Sequence, residues 1–114
     1  MTSANDFFSA SKSDIQYRHP LRVNYTEGVK ELVEKCEAYW MLDLIASQQF
    51  RSQVKKELFQ SWQLTRTKNS SFEIIATDNY GQAITSQQIP FSDFPYDKVT
   101  LWCICRLIML PWEF

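Results

Sequence analysis

Glycine is almost missing from this chain. Gly28 and Gly81 are the only two, so no glycine-rich loop is available to cradle a phosphate, and both nucleotide-binding fingerprints are excluded. An excess of positive charge is also lacking. Twelve Lys and Arg stand against 13 Asp and Glu, interspersed along the chain, and no basic stripe exists to neutralise a nucleic-acid backbone. No apolar run approaches the roughly 20 residues that cross a bilayer. The opening residues carry no basic stretch followed by an apolar one, so no secretory signal is expected and the cytoplasm is the expected compartment. Cysteine is scarce and odd in number: Cys36, Cys103 and Cys105 are read as reduced thiols, since a chain with this much apolar content does not need stapling. His19 is the single histidine. No cofactor is expected.

Aromatic residues are abundant instead. They make up 15% of the chain, with four Trp, more than a core of this size requires, which leaves some to face a partner. A length of 114 residues is enough for one core. We expect residues 1–13, rich in Ser, Ala and Asn, to form an N-terminal arm and residues 14–114 to form a single α+β domain.

Asp14 to Asn24 mix extended-favouring residues with Pro20 and read as an irregular lead-in. Thr26 then offers an N-cap and Glu27 an anion in the first turn, opening a helix over Glu27 to Ser47. Val29, Leu32, Val33, Cys36, Tyr39, Trp40 and Leu44 recur on one face of it, and a short second helix follows over Gln48 to Glu57. From Leu58 the period changes to two. Turns at Lys68-Asn69-Ser70 and Asp78-Asn79-Tyr80-Gly81 divide a three-strand meander ending near Ile89. The apolar run Val99 to Leu110 follows a loop bracketed by Pro90 and Pro95. It reads as one bent strand or as two short ones meeting near Cys105-Arg106, stopped by Pro111. The expected architecture is one long and one short helix packed on a single antiparallel sheet of four to five strands.

Six stretches of this chain carry a likeness. They are Tyr17-Arg18-His19, Tyr25-Thr26-Glu27-Gly28-Val29, Ala38 to Ser47 (AYWMLDLIAS), Phe59 to Leu64 (FQSWQL), Ser92-Asp93-Phe94-Pro95 and Leu110-Pro111-Trp112-Glu113-Phe114. In them the chain resembles an uncharacterised family of small bacterial proteins, a domain of unknown function. The resemblance implies one intact bacterial domain and brings no activity with it.

Three groups of residues are candidates for function. Asp43 falls at helical spacing between Trp40 and Ser47, and a carboxylate on an apolar stripe must be paired or hydrogen-bonded. It either ties down a loop, through backbone amides or Arg18 or Arg22, or orients His19 as a catalytic base. Cys36, Cys103 and Cys105 together with His19 have the donor types of a zinc site, although their spacing matches no ribbon or finger and buried, inert thiols are the reading preferred. Phe91, Asp93, Phe94, Tyr96, Trp112, Glu113 and Phe114 lie beside prolines at element ends. They are read as a partner-binding surface, with Asp93 and Glu113 as its polar rim. Tyr39, Trp40 and Trp62 sit within the apolar periodicity of their elements and are assigned to the core.

The functional expectation is a non-enzymatic interaction module, an adaptor or inhibitor, whose partner is another protein. The alternatives are a small enzyme or metal protein using His19 and Asp43, and a homo-oligomeric structural protein such as a homodimer. Neither nucleic acid nor membrane is favoured as a partner.

Overall fold

The computed structural model describes residues 2–8 and 14–114; the remainder of the expected arm, 1 and 9–13, lies outside the described residues. Thr26 caps the first helix as its sequence implies, its hydroxyl accepting from the Val29 amide at 3.2 Å. The helix nevertheless stops early. Helix α1 covers Glu27–Lys35, α2 covers Tyr39–Gln48 and α3 is the single turn Ser52–Lys55. Between α1 and α2 the chain closes a Schellman motif, with the Ala38 amide on the Val33 carbonyl at 2.8 Å and the Glu37 amide on the Glu34 carbonyl at 3.3 Å. Glu37 takes the left-handed backbone this requires, at φ 52°. Glycine usually fills that position, so the long helix of the sequence reading, unbroken in its apolar period, is corrected to two helices.

The expected antiparallel sheet of four to five strands is also corrected. Among the described residues seven strands form one mixed sheet: β1 Gln16–Arg18, β2 Asn24–Thr26, β3 Phe59–Lys68, β4 Ser71–Thr77, β5 Ala83–Ile89, β6 Lys98–Ile104 and β7 Leu107–Met109, in the order β1-β2-β7-β6-β3-β4-β5. The lead-in supplies β1 and β2, and β2 runs parallel to β7, with Asn24 beside Leu107 and Tyr25 beside Ile108. Three-residue strands carry no readable alternation. What fixes β2 is a partner more than 80 positions away.

The run Val99 to Leu110 resolves into the hairpin β6–β7. Its two turn residues, Cys105 and Arg106, have φ 50° and 68°, the doubly left-handed geometry of a tight two-residue turn that ordinarily selects Asn-Gly. Arg106 then reaches out, its Nε donating to the Arg22 carbonyl at 2.8 Å and its Nη2 to the Leu21 carbonyl at 3.2 Å. The β6–β7 turn is thereby pinned to the turn between β1 and β2.

Helices α1, α2 and α3 lie between β2 and β3 in sequence, and they cover one face of the sheet. That face presents Trp62, Leu64, Phe72, Ile74, Val99, Leu101 and Ile108, all in one apolar core with Leu32, Met41, Leu42 and Ile45 from the helices. The opposite face, read from the register, carries Phe59, Ser61, Gln63, Thr100, Trp102 and Ile104, and no α-helix of the described residues covers it.

The beginning of the chain completes β6. Strand β7 reaches only as far as Trp102, which leaves the far half of that edge of β6 open. Thr2 to Asn5 fill it: Ser3 bridges Lys98 in parallel, and the Asn5 carboxamide accepts from the Thr100 amide at 2.7 Å while donating to its carbonyl at 2.9 Å. A side chain here does the work of a strand residue, and Ala4 is buried in the core.

Candidate functional site

The structure brings His19 and Asp43 together and reverses their expected burial. Imidazole Nε2 lies 2.6 Å from Asp43 Oδ1, but the histidine is the buried member while the carboxylate side chain is 67% exposed. Asp43 points off the apolar stripe of α2 into solvent, correcting the sequence reading. The other ring nitrogen, Nδ1, accepts the Leu21 amide at 3.0 Å, so the proton resides on Nε2 and is donated to Asp43. Both nitrogens are committed, and no lone pair remains to abstract a proton. The pair is a latch holding the turn between β1 and β2 against α2. Neither Arg18 nor Arg22 forms an ion pair with Asp43 among the described residues.

The thiols do not converge. Cys36 and Cys103 are buried and Cys105 is exposed in the β6–β7 turn, which breaks the alternation that would have aligned Cys105 with Cys103. Among the described residues no three His, Cys, Asp or Glu side chains are grouped to hold a metal ion. Burial pushes the Cys103 thiol up to about 12 and raises that of Cys36.

The aromatic surface expected from the loop and the chain end divides into three parts. Phe94 is 2% exposed and belongs to the core, edge-on to Phe72 with ring centroids 6.1 Å apart. Arg66 explains why. Its guanidinium holds the Asp97 carboxylate at 3.0 Å and donates to the carbonyls of Phe94 at 3.0 Å and Tyr96 at 3.2 Å, folding the loop inward. Tyr96 is half-buried and stacks on Phe7 with centroids 5.0 Å apart. Phe94 is therefore corrected from surface to core, whereas Tyr96 stays partly exposed.

Phe91 and Asp93 remain outside, at the end of β5. With Trp40 and Ile89 they line an open groove of about 390 Å³. Tyr39 is 40% exposed and Trp40 half-buried, so of the three aromatics assigned to the core only Trp62, at 1%, is fully buried there.

Trp112 and Phe114 lie elsewhere, over β6, three strands away in the sheet order. Phe114 packs edge-on to Trp102 at 6.2 Å, and Trp102 packs edge-on to Phe59 at 5.1 Å. This row of rings crosses the uncovered sheet face. Beside it Asn5, Asp6, Lys98, Thr100, Trp102 and Trp112 border an open groove of about 410 Å³. Trp102 was hidden from the sequence reading inside the apolar run of β6; only its register opposite Ser61 places it on the open face.

Glu113, read as a rim residue, is half-buried and acts as a staple. Its Oε1 accepts from the Thr26 hydroxyl at 2.7 Å and from the Leu110 amide at 2.9 Å, setting a negative charge at the amino end of α1. Gly28 makes the approach feasible: a Cβ there would stand 2.9 Å from Glu113 Oε2 and 3.1 Å from Leu110 Cδ1. A last feature had no sequence signal. Gln49 and Gln60, both buried, exchange reciprocal amide bonds of 2.7 and 2.9 Å, and Gln60 Oε1 also accepts from the Trp62 indole at 2.9 Å.

Among the described residues no helix is long and apolar enough to cross a membrane. No curated protein and no solved structure matches the chain. Residues 2–114 match the model described as "Family of unknown function (DUF6876)", and the chain belongs to that family, a domain of unknown function as the six stretches implied.

Proposed function

We propose that this protein is a non-enzymatic interaction module, an adaptor or inhibitor working in the bacterial cytoplasm, that receives a partner protein on the uncovered face of its sheet. The observation that carries the reading is the row Phe59, Trp102 and Phe114, with Trp112 beside it. Phe114 is 84% and Trp112 47% exposed, on a sheet face that none of α1, α2 and α3 covers. Aromatic residues with an adjacent polar groove are the composition of a protein-binding surface, and their truncation carries most of the energy of such contacts. The face holds Lys98 and Asp6 in near balance, which suits a partner protein better than a polyanion. The rival reading as an enzyme built on His19 loses its support, because both imidazole nitrogens are engaged.

The test is native mass spectrometry of the tagged protein recovered gently from its own cells, beside the double variant Trp112→Ala, Phe114→Ala. An added protein mass present on the wild type and lost from the variant, with the urea midpoint unchanged, is the expected result. An added protein mass equally present on both, or a small molecule or metal as the sole bound species, would refute the proposal.

A further inference from the structure

The two edges of the sheet are unequal. Strand β1 is three residues long and contains Arg18, whereas β5 runs for seven, Ala83 to Ile89, with neither a charge nor a proline. Natural edges of that length are ordinarily blunted by a charge, a proline or a covering segment. On β5, Ser86, Gln87 and Gln88 are exposed and Thr85 to Ile89 pair with β4 without interruption. The outer ladder positions of β5 have no strand partner among the described residues.

The groove of Trp40, Ile89 and Phe91 opens at the carboxyl end of this strand. Ile89 stands opposite the buried Phe72 and so points to the helix side of the sheet. A strand added outside β5 would project alternate side chains to that same side. Its residue opposite Ile89 would fall into the groove between Trp40 and Phe91. Ladder bonds supply affinity in such additions, and side-chain pockets supply selectivity.

Charge selects the occupant. Asp93 lines the groove at one end of β5 and, among the described residues, has neither an ion pair nor a hydrogen-bond partner. Asp78 and Glu57, against the single Lys56, stand at the other end. A second copy pairing antiparallel through β5 would set the start of one strand beside the end of the other, bringing Asp78 toward Asp93. Like charges at both ends oppose that dimer. We infer that β5 is a strand-addition site for an extended segment of another protein, uncharged along its length, flanked by Lys or Arg, with a bulky apolar residue seated between Trp40 and Phe91. This surface is separate from the aromatic face over β6, and neither proposal depends on the other.

The probe is a fluorescein-labelled peptide, Lys-Phe-Thr-Val-Thr-Val-Thr-Lys, titrated into the full chain by anisotropy, with amide hydrogen exchange of the complex. Its Asp-flanked counterpart serves as control. We expect added protection confined to β5, an affinity at least tenfold weaker for the Asp-flanked peptide, and a fivefold or greater loss with either Phe91→Ser or Asp93→Lys. Phe91 is 74% exposed and Asp93 is exposed, so both variants should fold, which circular dichroism checks. No binding by the Lys-flanked peptide, equal binding of the two peptides, or protection away from β5 overturns the inference. So does a dimer in sedimentation that Ser86→Pro dissociates, which would assign the edge to a second copy.

Discussion

Replacing Gln60 by Ala should be among the most damaging single changes to a polar residue of this protein, and far worse than the same change at its partner Gln49. Gln60 Nε2 donates to the Gln49 carboxamide at 2.9 Å and to the carbonyls of Val54 at 3.1 Å and Glu57 at 3.0 Å. Its Oε1 accepts from Gln49 at 2.7 Å and from the Trp62 indole at 2.9 Å. Truncation leaves the Trp62 N–H, on a side chain 1% exposed, with no acceptor, and Gln49 Oε1 with no donor. Each of the two orphaned groups costs about 1–3 kcal/mol, and the vacated volume adds about 1 kcal/mol, for a sum of about 3–7 kcal/mol. Gln49→Ala is milder because Gln60 keeps Trp62, Val54 and Glu57 as partners; about 2 kcal/mol is expected, from two lost amide bonds and a thinner cap on the Ile45 carbonyl. Equilibrium unfolding in urea, followed by far-UV circular dichroism, measures both, with an unchanged slope as the check that the unfolded state is comparable. The double variant should cost less than the sum of the singles, because the second removal finds its partner already gone. Equal losses for the two single variants, or strict additivity, would refute the reasoning.

Gly28→Ala should destabilise the wild type by about 1 kcal/mol, since the methyl displaces the Glu113 carboxylate from Thr26; in the Glu113→Ala background the same change should be neutral or stabilising, as alanine favours the helix, and thermal unfolding of the four variants decides it. Hydrogen bonds from Thr2, foremost, and then Arg66 hold the Asp97 carboxyl below its ordinary value of 3.8. Because the folded value is the lower one, this contribution is complete above the ordinary value and is lost as pH falls through the depressed one. Protection factors of the amides around Thr2 to Phe8, corrected for the intrinsic exchange rate at each pH, should therefore fall under acid, and Asp97→Asn should bring that loosening to neutral pH; equal protection factors at neutral and acid pH in the wild type contradict it. A thiol reagent at mild alkaline pH should label Cys105 alone in the native protein, with Cys36 and Cys103 reacting only on unfolding; native labelling of Cys103, counted by mass spectrometry, would be the contrary result.

Local chemistry determined a good deal by itself. The Thr26 cap, the period-two meander with its turns near Asn69 and Asp78, and the stop at Pro111 follow from side chains acting on their own backbone, and the structure has each of them. What the tertiary structure alone decided has a common physical cause: partners distant in sequence. Strands β1 and β2 exist because β7 is there to pair with. Phe94 is core because Arg66, 28 residues earlier, gathers the loop carbonyls. The helical-wheel argument put Asp43 on the apolar stripe, and only its contact with the buried His19 shows that the carboxylate is the member facing solvent. Trp102 became a surface residue through register alone, for in a strand a shift of one position exchanges the two faces. The residues that build an element can be read one element at a time, whereas a surface left open for a partner is defined only once every other element has found its place.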